Sequence, residues 1–146
     1  MQRQTTMAKP AEVKRNWYVV DATGIPLGRL ASQVAQIITG RNKPIFTPNE
    51  DCGDYVIIIN ASQVKLTGNA EHKKNDYNVS GYAGGLRTRT SGTMLRDYPE
   101  EMVRRAVWGM IPKGPLGRKT LKKLFVYRDE KHEQEAQKPI ALELKK

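Results

Sequence analysis

The chain has 146 residues, and its 25 Lys and Arg against 15 Asp and Glu give a formal net charge of +10. A chain of this length is the size of one domain and can bury an ordinary hydrophobic core. The cationic surplus favours a polyanionic partner, above all a nucleic acid. A membrane surface fits less well, because no long apolar helix face adjoins the basic clusters.

Cys52 is the single cysteine, so an intramolecular disulfide is excluded, and the spaced Cys and His partners of a zinc site are absent. The first sixteen residues contain no apolar stretch typical of a secretion signal, and no apolar run approaches the roughly 18 residues of a membrane span. The sequence therefore predicts a reducing, cytoplasmic location.

The beginning of the chain predicts a basic extension followed by a strand, a loop and a helix. Residues 1–16 are polar and cannot pack a core alone, so we expect a partner to order them. Residues 17–146 then form a single domain with a charged C-terminal tail. Within it, 17–20 are β-prone, 23–26 favour a turn, and apolar residues recur with helical period from Leu27 to Ile38 before Gly40 ends the helix.

The run 55–59 is β-branched without interruption, which is typical of a strand buried on both faces. Two such strands joined by an amphipathic helix form a βαβ unit and imply a parallel sheet covered by helices. The fold class is therefore α/β.

The segment 68–92 is rich in Gly, Asn, Ser and Lys and predicts a long, partly irregular binding loop. Pro99, followed by two acids, is a good helix start, and an apolar stripe ending at Met110 supplies the core face. Arg104, Arg105 and Trp108 share the opposite face. After a Pro-Gly break, 116–124 predicts a second helix with a cationic side, 124–127 a last strand, and the tail from Arg128 a surface course.

The sequence gives only weak indications of an enzyme active site. His72 and His132 lie in polar surroundings without a nucleophile motif. Gly24 and Gly28 precede a helix start that could cradle a phosphate, but complete dinucleotide and P-loop motifs are absent, and a tight turn or an RNA phosphate contact explains them as well. The acids at 50, 51 and 54 could hold a hard cation, although a hydrogen-bonded turn is the better explanation. We expect no catalytic residues, cofactor or bound metal.

Clustered basic residues instead predict an RNA interface. Like charges packed together repel unless a phosphate backbone compensates them, and Arg can bind two phosphate oxygens at once. Gly84 and Gly85 would let the backbone approach a ribose-phosphate chain closely. Trp108 could stack on a base or pack on the next helix. The predicted RNA-binding residues are Arg41, Lys43, Lys73, Lys74, Arg87, Arg89, Arg104, Arg105, Lys113, Arg118, Lys119, Lys122 and Lys123.

Several ordered motifs carry a family resemblance. The strings 109–112, 116–118 and 124–127 read GMIP, LGR and LFVY, and they resemble the signature of the L-thirteen family of bacterial large-subunit ribosomal proteins. Matching strings at 17–22, 26–31, 53–61, 66–68, 81–86 and 137–139 extend the likeness over roughly residues 9–140. One departure is Val79, where the family often has His, which puts an RNA contact there in doubt.

The resemblance implies a three-layer α/β domain with a central, mainly parallel four-stranded sheet flanked by helices and carrying basic extensions and loops. It implies a structural constituent of the large ribosomal subunit that binds large-subunit ribosomal RNA early in assembly, contacts neighbouring ribosomal proteins and has no enzyme activity. We accordingly expect a cytoplasmic protein in the ribosome, with no membrane, no small-molecule substrate and no homo-oligomer.

The sequence leaves two other classes of protein as alternatives. A DNA-compacting or transcription protein would bind duplex DNA at least as well as structured RNA, but the sequence shows no helix-turn-helix pattern. An RNA-modifying or nucleotide-using enzyme would bind a cofactor saturably near residues 24–28.

Overall fold

A computed structural model describes residues 7–144. Its central sheet has four strands in the order β5-β2-β1-β6, and every neighbouring pair is parallel. The strands are β1 (Trp17–Asp21), β2 (Tyr55–Ile59), β5 (Leu124–Val126) and β6 (Ile140–Ala141). A separate antiparallel pair comprises β3 (Asn75–Val79) and β4 (Leu86–Thr90). The helices are α1 (Leu27–Thr39), α2 (Ala70–Lys73), α3 (Ser91–Asp97), α4 (Pro99–Met110) and α5 (Pro115–Leu121).

Helices flank the sheet, and the core lies between α1, α4 and one sheet face. Alternate strand residues such as Val20, Val56 and Ile58 join the apolar stripe of α1 and the buried Val103 and Val107 of α4. On the opposite sheet face the rings of Trp17 and Tyr55 stack at 4.3 Å, and Phe125 lies 5.6 Å from Trp17. The predicted α/β fold with a central parallel sheet is confirmed.

Several local predictions also agree with the structure. Helix α1 begins at Leu27, and Gly40 ends it with φ of 81°, a left-handed conformation that favours glycine. Pro99 begins α4, with Glu100 and Glu101 in its first turn.

Cys52 is a buried free thiol. Among the described residues, no helix is both long enough and apolar enough to cross a bilayer.

The segment 68–92 is more regular than predicted. It forms α2, the β3–β4 hairpin and the start of α3, and backbone bonds close the hairpin turn from Ser80 to Gly85. Gly81 and Gly84 have φ of 88° and 71°, so they serve the turn itself. Polar composition concealed the strands because the hairpin packs little of its surface against the core.

The second basic helix is shorter than predicted and ends at Leu121, so Lys122 and Lys123 follow it and do not share one cationic face. Met110, predicted to be core, is 46% exposed at the end of α4. The tail also differs from its predicted surface course, because β6 pairs with β1, and Leu142 and Leu144 pack against the core. A two-residue edge strand gives almost no periodic signal in a sequence.

Two largely buried lysine–carboxylate pairs lie at the amino-terminal edge of the sheet. Lys43 Nζ lies 2.6 Å from Asp54 Oδ1 and also donates to the Lys14 carbonyl. Lys123 is 4% exposed, pairs with Asp51 and donates to the Ile38 carbonyl. Both lysines, predicted from the sequence to bind RNA, thus have their ammonium groups engaged in contacts within the protein.

The second half of the predicted extension packs on the domain. Val13 is buried, Arg15 donates to the Asp51 carbonyl, and the Asn16 amide donates to Asp54 Oδ1 at 2.8 Å. Residues 1–6, with Arg3, and residues 145–146 lie outside the described part of the chain.

Alanine substitution at two glycines tests the packing of α5. A Cβ on Gly117 would overlap the Pro112 carbonyl oxygen, whereas a Cβ on Gly109 would meet nothing within 4 Å. Gly117→Ala should lower the free energy of unfolding by about 2 kcal/mol through overpacking. Gly109→Ala should raise it by about 0.5 kcal/mol, because alanine favours the helix. Denaturant titration followed by circular dichroism measures both, and equal effects of the two substitutions would contradict the assigned close approach.

The dependence of the free energy of unfolding on alkaline pH tests the Lys123–Asp51 pair. Burial lowers the pKa of Lys123 below its ordinary 10.5, and the hydrogen bond with Asp51 opposes part of that shift. Between the lowered pKa and 10.5 the unfolded state binds more protons, so this lysine's contribution to stability rises with pH. The free energy of unfolding of the wild type minus that of Lys123→Met should therefore increase from neutral pH towards pH 10.5.

The double variant Asp51→Asn/Lys123→Met is the control for the same titrations. At pH 7, Lys123→Met alone should lose about 3 kcal/mol, because it leaves a carboxylate without its buried partner. The double variant should recover most of that loss. A pH-independent difference, or a double variant as unstable as the single one, would contradict the assigned pair.

Candidate nucleic-acid interface

Helices α4 and α5 form a cleft with the start of β5. Arg104 and Trp108 lie one turn apart on the outer face of α4, since its inner face is occupied by core residues. The cleft has a volume of about 460 Å³. We call it the α4–α5 cleft, and it is lined by Arg104, Trp108, Arg118, Leu121, Lys122, Leu124 and Phe125.

The cations of this cleft have no carboxylate partners among residues 7–144. The ion pairs found there within 4.0 Å use Lys9, Lys43, Arg105 and Lys123 as the cations. Arg104, Arg118 and Lys122 thus converge around a tryptophan and a phenylalanine without internal neutralisation. Positive charge beside aromatic rings can hold a phosphate and stack on a base.

Two further predicted residues are Lys113, in the connection between α4 and α5, and Lys119, on α5. Lys113 Nζ is 4.3 Å from the centroid of the Trp108 ring and donates to the Trp108 carbonyl, so this exposed lysine also supports one face of the indole. Lys119 is exposed on α5 but does not line the cleft.

Three predicted arginines meet at the hairpin. Arg87 and Arg89 lie opposite Asn78 and Asp76 in the strand register, and both line a narrow cavity with Arg105 of α4. Two of these arginines have partners within the protein, because Arg105 pairs with Glu101 at 2.5 Å and Arg89 lies 4.6 Å over the Tyr98 ring. In this respect the cluster differs from the three cations of the α4–α5 cleft.

The remaining predicted cations are dispersed. Lys73 and Lys74 are exposed at the end of α2, directly before β3. Arg41 is exposed after α1 and lines small cavities that also border Met110 and Leu116, near the α4–α5 connection. The structure therefore concentrates the predicted cations at the cleft and the hairpin.

Sequence reasoning missed the aromatic wall that Phe125 adds to the cleft. It also missed the apolar face of the hairpin, where Tyr77, Val79 and Leu86 are each about 60% exposed and Tyr82 at the turn is 84% exposed. The alternation of Tyr77 and Val79 along the chain is a strand signal that the surrounding Asn and Gly residues obscured.

The candidate metal and nucleotide positions have structural roles. Asp51 and Asp54 are committed to the two lysine pairs, and within residues 7–144 no group of three or more His, Cys, Asp or Glu side chains could hold a metal ion. At the start of α1 the Leu27 amide already donates to the Lys65 carbonyl, and Asp21 accepts from Thr23 and Asn60. The segment before α1 is thereby bonded to residues that follow β2.

Comparison with known proteins identifies the family of this chain. The family model described as Ribosomal protein L13 matches residues 15–133. "Large ribosomal subunit protein uL13" of Geobacillus kaustophilus is 57% identical over 143 residues, covering 98% of this chain and 99% of that protein. The proteins of the same name from Ligilactobacillus salivarius and Listeria innocua are 54% and 53% identical, each with at least 98% of both chains covered. The chain therefore belongs to the ribosomal protein L13 family.

Proposed function

We infer that this chain is a structural constituent of the large ribosomal subunit that binds large-subunit ribosomal RNA and supports early assembly. The observation that carries the interface is the α4–α5 cleft, where three cations that have no carboxylate partner within residues 7–144 line the same cleft as Trp108 and Phe125. The role is structural and not enzymatic, and the protein acts in the cytoplasm as part of the ribosome.

The physical basis of binding is phosphate neutralisation. Each phosphate paired with Arg or Lys releases condensed counterions, so affinity falls steeply with salt. Arg104 and Arg118 approach from two different helices, and together with Lys122 they favour an RNA backbone of one particular shape. The Trp108 indole, held by Lys113, adds a surface on which an unpaired base can stack.

Other parts of the chain extend this interface. Arg41, Lys73, Lys74, Arg87, Arg89, Arg105 and Lys119 would supply peripheral phosphate contacts, as would the basic extension 1–16, while 17–146 forms the single domain. The exposed apolar side chains of the hairpin suit a neighbouring ribosomal protein better than RNA, because Val79 and Leu86 cannot bind phosphate.

Charge removal in the cleft tests this function. Arg118→Gln/Lys122→Gln should weaken binding to transcribed large-subunit ribosomal RNA about tenfold to hundredfold at moderate salt. It should also make the slope of log K against log salt shallower by about 1 to 2. Filter binding over a salt series measures both quantities.

The matched control is Lys65→Gln/Lys138→Gln, which removes two exposed charges outside the cleft. It should leave the salt slope close to that of the wild type. A cleft variant that binds like this control while remaining folded would contradict the proposed interface. Wild-type binding that duplex DNA displaces as readily as unlabelled RNA would favour a DNA-binding protein instead.

A further inference from the structure

A second, larger cleft lies at the carboxyl edge of the sheet. Its volume is about 600 Å³, and its walls come from α2, the β4–α3 junction, the turn after β2 and the residues after β5. We call it the carboxyl-edge cleft, and the residues that matter here are Ser62, His72, Thr90, Thr93, Arg96 and Arg128. None of these six belongs to the RNA interface proposed above.

Hydrogen bonds fix the position of its walls. Arg128 Nη2 donates to the Arg96 carbonyl at 3.1 Å, which joins the end of β5 to α3. Ser62 Oγ donates to the Arg128 carbonyl at 3.1 Å, which joins that segment to the turn after β2. A Cβ on Gly92 would come within 2.8 Å of Glu71 Cγ, so α2 and α3 are also in close contact.

The cleft is rich in donors and positive charge. Arg96 and Arg128 are exposed, and neither has a carboxylate within 4.0 Å in the described part of the chain. The Thr90 and Thr93 hydroxyls lie 2.9 Å apart, and His72 adds an imidazole. Glu71 is the single acid of the lining. Guanidinium groups and hydroxyls that line one cleft are the kinds of donor that bind the oxygens of a phosphate monoester or diester.

This cleft lies beyond the opposite end of β5 from Lys122 of the α4–α5 cleft. Lys122 precedes β5 and Arg128 follows it, and the three residues of the strand alone span about 10 Å at roughly 3.3 Å per residue. Ligands of open α/β sheets characteristically bind beyond the carboxyl ends of the strands, where the carboxyl-edge cleft lies. Its volume is also within the range of pockets that hold a small ligand.

We propose that the carboxyl-edge cleft binds a phosphate-bearing nucleotide unit, with Arg96 and Arg128 on the phosphate and the Thr90 and Thr93 hydroxyls beside it. Ribosomal RNA is the source that the proposed function supplies, and to that extent the inference rests on it. The same chemistry could come from a free nucleotide, so the test separates the two sources.

The first arm measures binding of Arg96→Gln/Arg128→Gln to transcribed large-subunit ribosomal RNA over a salt series, with Lys65→Gln/Lys138→Gln as the matched control. We expect a slope shallower by about 1 and a severalfold loss of affinity in the cleft variant only. The second arm titrates the wild type with AMP and with inorganic phosphate, and follows the Arg96 and Arg128 Nε resonances by NMR. Circular dichroism establishes that each variant is folded.

A shallower salt slope in the cleft variant supports the RNA source. A control-like slope combined with saturable AMP shifts at both arginines supports the same phosphate site, filled by a free nucleotide. A control-like slope without such shifts overturns the inference. If the inference is overturned but Arg118→Gln/Lys122→Gln loses affinity for the RNA, the proposed function is still supported. If both cleft variants bind RNA like the control, the proposed α4–α5 interface is overturned as well.

Discussion

Two largely buried lysine–carboxylate pairs connect the segments at the edge of the sheet where β1, β2 and β5 begin. Asp54 binds Lys43 and the Asn16 amide just before β1, while its own amide donates to the Ile37 carbonyl at the end of α1. Asp51 binds Lys123, whose carbonyl accepts from Val56 of β2. Burying these charges is tolerable only because each has its partner, and the pairing fixes the strand starts relative to α1.

This arrangement divides the cations between structure and binding. Lys123 is buried in its pair with Asp51, and the adjacent Lys122 lines the α4–α5 cleft. Lys43 is likewise paired within the protein, while Arg41, two residues earlier, is exposed. The cations without internal partners repel one another in the isolated chain, and a phosphate backbone relieves that repulsion, so the fold supplies both the site and part of its driving force.

The sequence predicted the elements whose residues carry a strong period. The helical spacing of 27–38 and the β-branched run 55–59 fixed the βαβ unit, and Pro99 with its two acids marked α4. It could not predict β6, which has two residues, or the hairpin, whose polar strands lack a buried face. Nor could it separate Lys122 from Lys123, because a lysine's partner 72 residues away in the sequence leaves no local signal.

Sedimentation tests the central claim, that this chain is an integral part of the large subunit, most directly. The tagged chain would be followed in sucrose gradients of a lysate of its source cells, at moderate and at high salt. We expect the chain to migrate with free large subunits, whole ribosomes and polysomes at both salt concentrations, and we expect RNase digestion to abolish this migration. A chain that stays at the top of the gradient, or leaves the ribosome at modest salt, would contradict the structural role and indicate a transient factor.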